Sequence, residues 1–64
     1  MAVSITAFLK NGVAVEIYDT ESTIADAVAA VSELKGLLTG PTRQGGYVAI
    51  NTDEIAYIEV MPSA

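Results

Sequence analysis

One arginine stands in this chain of 64 residues, Arg43, within the segment Thr39-Gly40-Pro41-Thr42-Arg43-Gln44-Gly45-Gly46, and Tyr47 follows it directly. A guanidinium is a planar fork of donors that matches phosphate or carboxylate oxygens. Glycines beside it leave backbone N–H groups open to an anion. Thr42 and Gln44 add polar side chains, and the Tyr47 ring offers a face for a base or sugar. Thr42, Arg43, Gln44, Gly45, Gly46 and Tyr47 are therefore the candidate ligand-binding residues. The plain alternative is a flexible connector carrying a solvated arginine. The segment is neither a Walker A loop nor a dinucleotide fingerprint, so it names no particular ligand.

Other chemistry is hard to assemble. The chain has no His and no Cys, which removes the commonest general base and leaves Ser without a partner for a nucleophilic triad. The eight carboxylates (Glu16, Asp19, Glu21, Asp26, Glu33, Asp53, Glu54, Glu59) are scattered rather than clustered. Glu16 and Glu59 sit in alternating stretches and could approach each other, although exposed strand faces commonly carry Glu. No calcium-loop spacing occurs. An enzyme is not expected, and neither is a metal or cofactor. Three basic residues against eight acidic ones, a net charge of −5, also argue against a nucleic acid polymer as partner.

The elements that must position these residues follow from periodicity. Val3, Ile5, Ala7 and Leu9 alternate in one stretch, and Val13, Val15 and Ile17 alternate in the next. Lys10-Asn11-Gly12 lies between them. A two-residue Asn-Gly loop would put the two apolar rows on opposite faces. A three-residue loop pairs Leu9 with Val13, Ala7 with Val15 and Ile5 with Ile17 on one face, with Gly12 left-handed. The three-residue loop is expected.

Asp19 to Thr23 supplies capping side chains for a helix that is expected to run to about Lys35, with Gly36 as its stop. Ile24, Ala27, Val28, Val31, Leu34 and Leu38 form its apolar stripe. A second stripe, Ala25, Ala29, Ser32 and Gly36, is small. Alanine is simply the best helix former, yet a small face also lets the helix of another subunit approach, and these four residues are the candidate oligomer interface. Thr39 to Gly46 reads as the irregular stretch of the chain. Residues 47–50 and 55–60 read as two strands of a second hairpin, whose register both parities leave open, and Pro62 ends it. The expectation is a single α+β domain, residues 1–64, ordered β-β-α-β-β, with one amphipathic helix on an antiparallel sheet.

A chain this short buries little surface relative to the entropy it must lose, so a lone monomer would be marginal. With disulfides excluded and metals poorly served, a homo-oligomer is expected. No signal-like basic and apolar stretch opens the sequence, and no apolar run is long enough to span a membrane. A cytoplasmic setting without membrane contact is expected.

The tail YVAINTDEIAYIEV resembles the strand, Asn-containing turn and strand that end several small bacterial and phage β-rich regulators. In layout the chain also resembles small phage-encoded oligomeric sponge proteins that sequester nucleotide immune signals. The likeness lies in compactness, acidity, the missing catalytic set and an Arg/Gly/Thr loop. It implies a binder without catalysis, holding a small anionic or nucleotide-like ligand between subunits. The alternatives are an interaction module or inhibitor that docks through a sheet edge or helix face, and a structural assembly component.

Overall fold

The computed structural model describes residues 2–63. Five strands and one helix follow one another as β1 (Ala2–Leu9), β2 (Ala14–Asp19), α1 (Ile24–Ser32), β3 (Leu37–Pro41), β4 (Tyr47–Asn51) and β5 (Ile55–Ser63). The class is α+β with antiparallel pairing throughout. The strands divide into a three-stranded sheet in the order β2-β1-β5 and a two-stranded sheet of β3 and β4.

The first hairpin forms in the register that parity selects. Ala7 faces Val15 and Ile5 faces Ile17, the Leu9 N–H donates to the Val13 carbonyl at 2.8 Å, and the Gly12 N–H donates to the Leu9 carbonyl at 3.0 Å. Gly12 takes φ +92°, a conformation that costs glycine nothing. Val3, Ile5, Ala7 and Ile17 thereby share one buried face with Ala27, Leu38 and Ile50.

The helix is shorter than its apolar stripe suggests. Thr23 is its N-cap, accepting from the Asp26 N–H, and Glu33 closes it. Gly36 does have positive φ, at +86°, but it turns the chain into β3 rather than ending the helix. Leu38 explains the difference. It lies four residues after Leu34, as a helical stripe requires, and it also alternates with Gly40, as a strand requires. Pairing with Ile50 across β3 and β4 buries it, and the strand period prevails.

The second hairpin is also differently made. β4 pairs with β3, and β5 crosses to β1. Thr52–Glu54 forms a single 3-10 turn, capped by the Asn51 carboxamide oxygen, which accepts from the Asp53 N–H at 2.9 Å. A bulge resolves the parity of β5. Phe8 faces Tyr57 but Leu9 faces Ile55, so Ala56 is the extra residue. Ile55 and Ile58, of opposite parity, both reach the core, while Tyr57 turns outward.

The helix covers the inner face of the three-stranded sheet through Ala27 and Val31, and Leu34, just beyond it, packs on the same core. The β3-β4 hairpin packs against β2, where Gly40 backs directly onto the Ile17 side chain.

Candidate functional site

The segment expected to be irregular is a hairpin built like the first. The Thr42 N–H donates to the Gly46 carbonyl at 2.9 Å and the Gly45 N–H to the Thr42 carbonyl at 3.2 Å. Gly45, with φ +88°, takes the position that Gly12 takes in the first loop. Arg43-Gln44-Gly45 thus repeats Lys10-Asn11-Gly12: two polar residues and a left-handed glycine close three-residue loops. The Gly46 N–H donates to the Thr42 hydroxyl at 3.0 Å. The N–H groups of Gly45 and Gly46 are therefore engaged within the turn rather than held open for an anion.

The turn aims Arg43 across β2. Its Nε donates to Glu16 Oε1 at 2.8 Å and one terminal nitrogen to Glu16 Oε2 at 3.3 Å. That nitrogen also donates to the Ser63 hydroxyl at 2.6 Å. The guanidinium carbon lies 4.2 Å from the centroid of the Tyr18 ring, a cation–π distance. One side chain so ties the β3-β4 turn to both outer strands of the larger sheet. The Arg43 hydrogen bond, and then that of Ser4, holds the Glu16 carboxyl below its ordinary pKa, and the same contact raises that of Arg43.

Glu16, Tyr18 and Ser63 are the partners that sequence reasoning missed. Alternation places Glu16 and Tyr18 on the outward face of β2, which was legible. That the lone arginine, 27 positions away, would land on them was not. Glu16 and Glu59 do not meet. They face Thr6 from opposite sides of β1, two strand spacings or about 10 Å apart across the sheet. Tyr18 pairs with Ser4 and Tyr57 with Phe8, and Tyr57 also borders a cavity beside Val31 and Leu34. The Tyr57 ring stacks on Phe8 with centroids 4.5 Å apart and planes 11° from parallel.

Of the other candidate residues, Gln44 is exposed at the tip of the turn, and Tyr47 is 73% exposed. Tyr47 stands at the rim of a groove of about 340 Å³ between α1 and β3, with Ile17, Ala27, Val31, Leu37 and Leu38 among its walls. Asp19, which also lines this groove, organises the approach to α1. Its carboxylate accepts from the Glu21 N–H at 2.8 Å, the Ser22 N–H at 3.1 Å and the Ser22 hydroxyl at 2.7 Å. The Glu21 backbone bond first, and then the Ser22 hydroxyl, depresses its pKa.

Ala25, Ala29 and Ser32 lie exposed on α1, and Gly36 lies beyond the helix. The Ser32 hydroxyl donates back to the Ala29 carbonyl. Among the described residues no group of three or more His, Cys, Asp or Glu is placed to hold a metal ion, and no helix is long and apolar enough to cross a membrane. No protein-family model, curated protein or solved structure matches the chain.

Proposed function

We propose that this chain is a non-enzymatic binding protein that works as a homo-oligomer, using apolar surface that the folded monomer leaves open. The observation that carries the reading is the exposure of its large apolar side chains. Val28 is 50% exposed, Leu37 57% and Tyr47 73%, with Ile24 also open. Ile24 and Val28 lie on α1, while Leu37 and Tyr47 rim the adjoining groove. The accessible surface is 4186 Å², against roughly 3,900 Å² for a compact monomer of this mass. Catalysis finds little support in the carboxylates. Glu16 and Asp19 are both hydrogen-bonded and held below their ordinary pKa, the reverse of what a general acid needs. Sedimentation equilibrium tests the reading: a multimer is expected, and Ala29→Glu is expected to reduce it to a monomer. A wild-type monomer at high concentration overturns it.

A second reading keeps the small anionic or nucleotide-like ligand at a subunit interface, as in a sponge. It is supported by one feature of Arg43. The guanidinium is 43% exposed and already grips a carboxylate, so a ligand phosphate could exchange with Glu16. Glu16→Gln is then expected to strengthen binding of a nucleoside monophosphate, and Arg43→Ala to remove it. Equal affinity in both variants sinks this reading.

A further inference from the structure

The outer face of the three-stranded sheet carries the same pair of residues twice. Thr6 on β1 lies between Glu16 on β2 and Glu59 on β5. Two residues along β2 from Glu16 is Tyr18, in the row of Ser4. Two residues along β5 from Glu59, in the opposite direction, is Tyr57, in the row of Phe8. A half-turn about Thr6, perpendicular to the sheet, exchanges β2 with β5 and carries one Glu–Tyr pair onto the other. Residues two apart on a strand share a face, so each carboxylate stands beside its own ring.

The first pair is filled from within the chain. Arg43 lies 4.2 Å over Tyr18 and 2.8 Å from Glu16. The second pair faces solvent. Glu59 is exposed and forms no ion pair or hydrogen bond among the described residues. Phe8 braces one side of the Tyr57 ring, and with 59% of Tyr57 exposed the other side is open. Stacking on Phe8 holds the ring in place, so little rotamer freedom remains to be lost on binding.

We propose that Tyr57 and Glu59 form a receiving site for an arginine side chain of a partner polypeptide, its guanidinium laid on the open face of Tyr57 and its N–H fork on the Glu59 carboxylate. Arginine fits better than lysine because a planar fork can stack and donate at once, as Arg43 does on the matching pair. The net charge of −5 favours a basic partner and speeds its approach. Neither residue lines the groove between α1 and β3, although Tyr57 also borders a shallower cavity beside Val31 and Leu34.

The test is a proton–nitrogen NMR titration with the peptide acetyl-Gly-Arg-Gly-amide, and with the same peptide carrying neutral citrulline in place of arginine. Saturable shifts confined to residues 57–59 and their Phe8 neighbour are expected with arginine, and none with citrulline. Glu59→Gln, an exposed and nearly isosteric change, is expected to weaken binding about threefold or more. Arg43→Ala provides an internal control, because it should open the first pair and add shifts at Glu16 and Tyr18. The proposal is overturned by any of three results: no saturable shift at 57–59 in the wild type, equal shifts from citrulline, or an unchanged affinity in Glu59→Gln. It is overturned as well if Arg43→Ala gains binding at Tyr18 while the Tyr57 pair stays silent.

Discussion

Gly40 and Ile17 touch where the two sheets meet. A Cβ placed on Gly40 would overlap the Ile17 Cγ2 methyl and crowd the rest of that side chain. Both residues are buried, so neither can swing into solvent. Gly40→Ala is expected to destabilise the fold by about 1–3 kcal/mol, the usual cost of overpacking. Urea unfolding measures it. In a double-mutant cycle with Ile17→Ala, the alanine at position 40 should cost much less than in the wild type. Additive losses would show that the contact is not what excludes a side chain there.

The second hairpin makes a contrast between neighbours. Gly45 has positive φ, whereas a Cβ on Gly46 meets only the Thr42 hydroxyl, at 3.3 Å. Gly45→Ala is expected to cost about 1–2 kcal/mol through left-handed strain, and Gly46→Ala a few tenths at most, on the scale of ordinary surface changes. Thermal unfolding of the two variants side by side separates them.

Acid should loosen the fold through two carboxylates. Hydrogen bonds lower the pKa of Asp19 and Glu16 in the folded chain. Each ionised carboxylate therefore stabilises the fold above the unfolded value near pH 4, and this contribution is lost as pH falls through the lower folded value. Asp19→Asn is expected to reduce stability at neutral pH and to flatten the acid limb. Because Asp19 is largely solvated, its share should stay under about 1 kcal/mol. Denaturant midpoints from about pH 7 to about pH 2 report it. An unchanged acid slope would place the acid sensitivity elsewhere.

Arg43 clasps the turn to the sheet from an exposed position, so its removal should act locally. Arg43→Ala is expected to speed amide exchange at residues 42–46 while leaving that of β1 unchanged. Uniform acceleration across the chain would mean that the clasp supports the whole fold.

How legible all this was in the sequence depends on the range of the interaction. The first hairpin could be derived because Val3, Ile5, Ala7 and Leu9 must share a face with Val13, Val15 and Ile17, which a three-residue loop achieves and a two-residue loop does not. The same loop chemistry recurs at Arg43-Gln44-Gly45, but Gly40, Pro41, Gly45 and Gly46 together read as irregular chain, and Leu38 satisfied a helical stripe as well as a strand. The partner of β5 was hidden by the bulge at Ala56, which lets Ile55 and Ile58 both point inward and so erases a simple alternation. For the candidate site, the residues of the turn were legible from their types. Their engagement was not, because Glu16, Tyr18 and Ser63 reach Arg43 only through the docking of one sheet on another.

The pairing of β1 with β5 has a consequence for how the chain is made. Ala2 faces Ser63 and Val3 faces Pro62, so the central strand takes its second neighbour from the far end of the sequence. Both hairpins can close over three-residue loops within microseconds of leaving the ribosome. β1 must nevertheless wait for synthesis to reach Ile55–Ser63, a delay on the order of seconds. For that interval it is the open edge of a two-stranded ribbon, carrying Val3, Ile5 and Ala7 uncovered, the kind of edge that recruits other chains. A form in which β1 and β2 have paired but β5 has not yet docked is therefore the one that leaves this edge open to mispairing.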